Sequence, residues 1–550
     1  MPKATNFSWV NQLQNNLTIG EQLLNSVKSI GIDSIYGIPG DLIIKFFKLI
    51  ENDPKLKLYT FSHEPAVGFA AIGAARATQK PAVACVTYGP GGLSLLNSVA
   101  CAYAEKVPLI VIAGGMPMSV RGQDFSMHHT VKGFDTQLKV YREVTEEAVV
   151  LDNPDTAAAE IIKALAVCQE TMLPVYIEVP ADMVTVPIKP SQEPAQPRLF
   201  DEKELKEALN LIVSRFSSAK KPVLMMGVEA LRFGLVNQII TLAETLGVPV
   251  VSTMLARDCM PNEAPNFYGV YLGSAGNPDA DRLVADSDFV LMLGEDLTDV
   301  NFGLKLASLK ANDIVRCCSG KVKAGAYVYR GVPLKKLVHE LSEAQVQRQF
   351  ALPEKTPTQT VKTSKGTSAP LATDDIIDTV NLFFGECGEM PVISDTGDCL
   401  FATLRLKASS IVGSSFYGTM GFAVPAAIGY ALASKKRPLV LVGDGAFQMT
   451  GQEICHCPRY SINPIFILNN NRSWGMEQLF HPSAINDLAD WSYAKMSQLW
   501  GGKGYQCNTG QELREALESA KDEKVFSLIE VHTGTELSEP LRTYVLGQRQ

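Results

Sequence analysis

Residues 438–474 read PLVLVGDGAFQMTGQEICHCPRYSINPIFILNNNRSW, and two apolar runs organise the stretch. The first ends on Gly443-Asp444-Gly445. A helical interval follows, and the second run, Pro464 to Leu468, ends on Asn469-Asn470-Asn471. Two buried parallel strands joined by a crossover helix bring both polar clusters to one sheet edge. That edge, the carboxyl ends of the strands, is where α/β proteins bind ligands. An Asp carboxylate, an Asn carbonyl and a turn backbone carbonyl are hard oxygen donors. They suit a Mg²⁺ or Ca²⁺ ion that keeps part of its shell for phosphates. Gly443 and Gly445 let the main chain approach an anion and offer N–H groups at a helix start. A lone Gly-Asp-Gly is usually an ordinary turn. Here Asn471 follows Asp444 by 27 residues with a strand on each side, which points to a ligand site.

At 550 residues the chain holds about three or four domains if a domain has ~150 residues. An apolar content of 46% is ample for real cores, and 20% charged is ordinary for a soluble enzyme. The net charge of −8 argues against a nucleic-acid or anionic-membrane partner. The start lacks the apolar core of a signal peptide, and no window approaches a membrane span. The eleven cysteines are scattered, mostly in apolar runs, as reduced thiols of a cytoplasmic protein would be. Cys455-His456-Cys457 lacks the second ligand pair of a zinc site.

Two Pro-rich stretches, 186–200 and 351–373, read as surface linkers and leave segments 1–185, 200–345 and 372–550. Each segment alternates short apolar strands with helical patterns: AVACVTY (82–88) and PLIVIAGG (108–115); KPVLMMG (221–227) and DFVLMLG (288–294); PVISD (391–395) and PIFILNN (464–470). Three α/β domains, each a doubly wound parallel sheet, are expected.

In the first segment, Ser62-His63-Glu64-Pro65 opens a helix rich in Ala and Gly. Pro65 suits the first turn, so Glu64 is held at a helix N-terminus, where a carboxylate also interacts well with the dipole. The small residues Ala66, Gly68, Ala70, Gly73 and Ala74 permit close packing on a neighbour. Asp41 follows the turn Gly37-Ile38-Pro39-Gly40 and reads as an N-cap or as a functional acid. Two of only seven histidines, His128 and His129, stand together after a loop running from Arg121 to Asp124. Imidazoles titrate near neutrality, and a coupled pair suits acid/base work.

The GDG and NN clusters at this separation resemble the thiamine-diphosphate fingerprint. The adjacent His pair, YGIPGD, SHEPAVGFAA, AYAEKVPLIVIAGG, GDCLF and GDGAFQMTG extend the resemblance almost end to end. It is nearest to the thiamine-diphosphate-dependent 2-oxo acid decarboxylases of the phenylpyruvate and indolepyruvate type. The implied fold is a pyrimidine-binding domain, a central domain and a diphosphate-binding domain. Members of that family place the active site between subunits, which implies a homodimer at least and commonly a homotetramer.

Carried onto this chain, the resemblance assigns Asp444, Asn471 and the Ser473 carbonyl to Mg²⁺ on the diphosphate. Glu64 would bond the aminopyrimidine N1′ and so promote formation of the thiazolium ylid. The Gly418 carbonyl would accept the 4′-amino group, and Met420, if not simply core, would wedge under the cofactor. Gly443, Gly445 and Ala446 would line the diphosphate. Asp41, His128, His129 and Glu477 would form the acid/base set that serves the enamine left after CO₂ departs. Asp398 replaces a family Thr or Ser near the diphosphate. A carboxylate repels phosphate, so it should point away or act through water. Arg472 and Gly475 are unusual in the metal turn. Leu400, Phe401, Met476 and Leu479 are pocket candidates and favour aromatic or branched 2-oxo acids over pyruvate. The central segment has no G-x-G-x-x-G, which favours a structural or regulatory role over FAD or NAD. Pyruvate decarboxylation, acetolactate-type carboligation and a non-catalytic homologue stand as alternatives.

Overall fold

The computed structural model describes residues 17–123, 126–189, 200–302, 314–344, 346, 350–356 and 370–549. The extreme N-terminus, Asp124 and most of both Pro-rich stretches lie outside the described residues. The chain divides into two compact units, Met1–Arg198 and Leu199–Gln550.

The first unit carries one six-stranded sheet. Its strands are β1 (Ser34–Gly37), β2 (Lys57–Thr60), β3 (Ala82–Val86), β4 (Leu109–Gly115), β5 (Glu147–Val150) and β6 (Val175–Pro180). All are parallel, in the order β2-β1-β3-β4-β6-β5. β3, β4 and β6 are buried along their whole length, as strands covered by helices on both faces must be.

The second unit carries two sheets. The central one comprises β7 (Pro222–Met226), β8 (Val250–Ser252), β9 (Phe267–Val270), β10 (Phe289–Leu293), β11 (Ile314–Cys318), β12 (Lys321–Ala324) and β13 (Tyr327–Arg330). Its order is β13-β12-β11-β10-β7-β8-β9. It is parallel except for β12 and β13, which add an antiparallel edge. Ser319 (φ 53°) and Gly320 (φ 69°) are both left-handed, so β11 and β12 join by the two-residue turn that suits hairpin twist. β12 alternates exposed and buried, the mark of a strand with one wet face.

The last sheet comprises β14 (Val392–Ser394), β15 (Ile411–Gly413), β16 (Leu439–Gly443), β17 (Ile465–Asn470), β18 (Lys503–Cys507) and β19 (Ser527–His532). It is all parallel, in the order β15-β14-β16-β17-β19-β18, the same winding as the first sheet. In both sheets the winding reverses beside the first strand, and the crevice at that point opens on the carboxyl ends. The fold is therefore α/β with three doubly wound sheets.

Small residues do what their spacing promises in the helix Glu64–Thr78, which is buried almost all round. It packs so closely on the helix Pro90–Ala104 that a Cβ on Gly68 would lie 1.8 Å from Ser98 Oγ. Gly68→Ala should destabilise the first unit by about 1–3 kcal/mol through overpacking. Ser98→Gly in the same chain should recover part of that loss in a thermal or urea unfolding cycle.

Candidate active site

β16 and β17 pair in register, with Gly443 opposite Asn469. Asp444 begins the next helix, Asp444–Thr450, and Asn471 is the first residue beyond β17. Tight main-chain geometry brings them together: Asp444 Oδ2 accepts from the Arg472 amide at 2.6 Å and Oδ1 from the Gly445 amide at 2.8 Å. Asn471 Oδ1 accepts from the Ser473 amide at 3.0 Å. Arg472 makes the turn by adopting φ 57°, and its guanidinium pairs outward with Asp490 at 3.1 Å. Ser473 is pinned by Oγ donating to the Asn486 carbonyl at 3.1 Å. The Trp474 ring covers Gly445, where a Cβ would lie 2.2 Å from Trp474 Cζ3. Gly475 sits close to the Asn471 side chain.

Asp444 is buried, and that burial pushes its carboxyl up to about 6. Main-chain amides of Gly445 and Arg472 partner this costly negative charge, and a Cβ on Gly443 would meet nothing within 4 Å. A hard divalent cation fits this carboxylate, because it would offset its desolvation. Ala446 is buried in the first turn of the same helix.

Asp395, at the end of β14, was not singled out from sequence. It is completely buried, which raises its carboxyl to about 6 against the pull of backbone amides. Gly421 N and Ala423 N donate to its two oxygens at 3.1 and 2.8 Å, tying down the loop that carries Gly418 and Met420. Gly418 has φ 68° and Met420 is 40% exposed, so Met420 is not core.

Asp398 is half-buried, with both oxygens occupied. Oδ1 accepts from the Ser538 amide and hydroxyl at 2.8 and 2.6 Å, and Oδ2 from the Thr373 hydroxyl. Leu400 corrects a pocket expectation. It is 2% exposed and packs with Met254, Leu255 and Leu272. Phe401 lies against Tyr544, while Met476 and Leu479 are partly buried against Leu537 and Leu541. Glu477 is exposed in the short helix Gly475–Phe480.

In the first unit, Asp41 is not a cap. The helix after it starts at Ile44, with Ile43 as N-cap, which leaves the Asp41 carboxylate for other partners. Oδ2 lies 2.7 Å from His128 Nε2, and Oδ1 lies 3.9 Å from His129 Nε2. The two imidazoles meet edge to face at 4.6 Å between centroids. The His128 hydrogen bond holds the Asp41 carboxyl below the usual range despite some desolvation, so it is ionised at neutral pH. This trio is the one His/Cys/Asp/Glu group with metal-ligand spacing among the described residues. His456, by contrast, pairs with Glu453 at 3.2 Å, and Cys457 is buried.

Glu64 is the first residue of its helix and half-buried. The turn after β3 runs beside it: a Cβ on Gly91 would lie 3.0 Å from Thr87 Cγ2 and 3.6 Å from Glu64 Oε1. Thr87 and Gly40 also touch closely, so the turns following β1 and β3 are packed together at the switch point of this sheet.

Comparison with known proteins bears on the same chain. Residues 17–140 match the thiamine pyrophosphate enzyme N-terminal TPP binding domain, 209–332 its central domain and 395–531 its C-terminal TPP binding domain. Fold and match together define a thiamine pyrophosphate enzyme. Indole-3-pyruvate decarboxylase of Azospirillum brasilense is 38% identical over 542 residues, 97% of this chain and 99% of that one. Pyruvate decarboxylase 1 of Arabidopsis thaliana is 29% identical over 536 residues, 92% of this chain and 86% of that protein. Pyruvate decarboxylase isozyme 1 of Saccharomyces cerevisiae is 27% identical over 513 residues, 89% of this chain and 90% of that protein. The chain belongs to the thiamine-diphosphate-dependent 2-oxo acid decarboxylases. No described helix is long and apolar enough to cross a membrane.

Met420→Ala should change stability by no more than about 0.5 kcal/mol, as expected at an exposed position. A core methionine would lose roughly 2–5 kcal/mol, so calorimetry of the chain distinguishes the two. Asp41→Asn should lower turnover without removing any kinetic ionisation between about pH 5 and 8, since Asp41 is already ionised there.

Proposed function

We propose that the enzyme decarboxylates a 2-oxo acid with an aromatic or branched side chain, phenylpyruvate or indolepyruvate foremost, to the aldehyde and CO₂. The observation that carries the decarboxylase reading is the Asp41–His128–His129 cluster in a chain of this family, with Asp41 2.7 Å from His128, and the 38% identity to an indole-3-pyruvate decarboxylase supports the bulky side chain. When bound, thiamine diphosphate supplies a carbon nucleophile and an electron sink for the departing carboxylate. Asp444, Asn471 and the Ser473 carbonyl would hold Mg²⁺, and the all-oxygen donors with a buried, poorly solvated carboxylate support that choice. Gly443, Gly445 and Ala446 would approach the diphosphate through the main chain. Asp398 would act indirectly, because its oxygens are committed to Thr373 and Ser538.

Glu64 would share a proton with N1′ of the aminopyrimidine, and the Gly418 carbonyl would accept from its 4′-amino group. Met420 would support the cofactor from below, a use that suits its exposure. The His pair and Asp41 would deliver the proton to the carbon that loses CO₂, with Glu477 as a further acid. Pyruvate is the second reading, supported by the pyruvate decarboxylases among the relatives. A homodimer at least, and a homotetramer in the cytoplasm, completes the proposal, with domains 1–185, 200–345 and 372–550. Native mass measurement tests the assembly.

Aldehyde release should be measured with thiamine diphosphate and Mg²⁺ on phenylpyruvate, indolepyruvate, 3-methyl-2-oxobutanoate and pyruvate. Higher kcat/KM for the bulky acids is expected; turnover of pyruvate alone would replace the substrate proposal. Glu64→Gln should lower kcat by about 100-fold or more with the fold intact. His129→Ala should lower kcat by about 10²–10⁴-fold while cofactor affinity changes little. Near-parental rates in either variant would remove that residue from the mechanism.

A further inference from the structure

One buried acid in the first unit takes no part in the chemistry proposed above. Glu178 lies on β6, in the otherwise uncharged run VYIEVP, and is fully buried. A carboxylate in such a place needs hydrogen-bond donors to offset its desolvation. Oε2 accepts from the Tyr176 hydroxyl at 2.8 Å, and Oε1 from Arg121 Nη2 at 3.2 Å. The Tyr176 oxygen accepts in turn from Gln137 Nε2 at 2.7 Å, and Gln137 Oε1 from the Gly89 amide at 2.8 Å. Every donor in that line points toward Glu178. The carboxylate therefore sets which way the Tyr176 hydroxyl turns, and with it the Gln137 amide.

Packing leaves the line little freedom. The Tyr141 ring stacks on Tyr176 at 4.0 Å and its hydroxyl donates to the Gly92 carbonyl at 2.7 Å. A Cβ on Gly92 would lie 2.4 Å from Gln137 Oε1. At its far end the line stops under the His pair: a Cβ on Gly89 would lie 2.6 Å from His129 Cβ and 2.8 Å from the His129 carbonyl oxygen. His129 itself has φ 69°, a left-handed conformation uncommon for residues with a side chain. Arg121 is drawn to the same carboxylate.

We infer that Glu178, acting through Tyr176, Gln137 and the Gly89 turn, is a positioning residue for the His128–His129 pair. The inference rests on the acid/base role proposed for that pair. The charged and titratable groups around Glu178 are Arg121, Tyr176, Tyr88, Tyr141 and Asp152, the last lying 3.9 Å from Arg121 Nη1. Burial raises the Glu178 carboxyl to about 7, above the ordinary ~4.3 of a Glu side chain. The folded chain thus retains a proton that the unfolded chain releases, and stability falls as pH rises from about 4 to about 7.

The test uses the holoenzyme variants Glu178→Gln and Tyr176→Phe, the second keeping the ring stack if the first fails to fold. Each should lower kcat by about 10-fold or more, as displaced catalytic groups do, with KM and cofactor affinity within about twofold of the parent. Either variant combined with His129→Ala should be no slower than His129→Ala alone. The pH dependence of kcat should change shape in Glu178→Gln. Without cofactor, amide exchange of residues 86–95 should quicken in Tyr176→Phe. Parental kcat in both variants, equal losses of kcat and cofactor affinity, or losses that multiply with His129→Ala would each overturn the inference. An impaired His129→Ala beside an active Tyr176→Phe removes the relay alone, whereas a fully active His129→Ala removes the acid/base reading beneath it.

Discussion

In-register parallel pairing of β16 with β17 is the constraint from which the diphosphate side of the site follows. Gly443 opposite Asn469 places Asp444 and Asn471 one residue past the ends of adjacent strands. Parallel strands buried on both faces leave polar side chains almost no place except beyond their ends. Parallel pairing makes neighbouring strands finish at the same edge, so the polar clusters converge there. The first sheet repeats the winding, and its clusters occupy the equivalent edge: Asp41 after β1, Thr87 to Gly91 after β3.

Burial at these edges falls on three carboxylates, and each resolves it differently. Asp395 turns to main-chain amides and thereby holds the Gly418–Met420 loop. Asp444 takes two main-chain amides, those of Gly445 and Arg472. Glu178 gathers a guanidinium and a tyrosine hydroxyl, and its hydrogen bonds run on to the Gly89 turn. All three are raised to between about 6 and about 7 because desolvation outweighs the donors. A charge kept at that disadvantage is a source of direction for the groups around it.

The central sheet uses its carboxyl edge otherwise. Glu229 accepts from Ser319, and Glu295 accepts from Thr253 and from the Asp296 amide. A Cβ on Gly227 would lie 2.4 Å from Glu295 Cβ, so the chain fills the crevice beside β7 and β10 itself. Two acids stand where a dinucleotide's phosphates would need N–H groups and open backbone.

What the amino-acid sequence determined by itself was local: the apolar strands, the Gly-Asp-Gly and Asn clusters at their ends, the small-residue helix behind Glu64 and the adjacent histidines. These are legible because periodicity, turn chemistry and strand exits depend on near neighbours. The Ser319-Gly320 hairpin is local too, a two-residue turn with its glycine in the left-handed region. Tertiary structure alone decided that Asp41 leaves the helix cap for His128, 87 residues away, and that Leu400 faces the core. It also decided that Met420 lies open and that Gly89 meets Gln137 across 48 residues. A charged Glu178 inside an apolar strand was the visible sign of a relay. Apart from Tyr176 on the same strand, its partners Arg121, Gln137 and Gly89 come from three separate stretches of chain, and only packing chooses which of them meet.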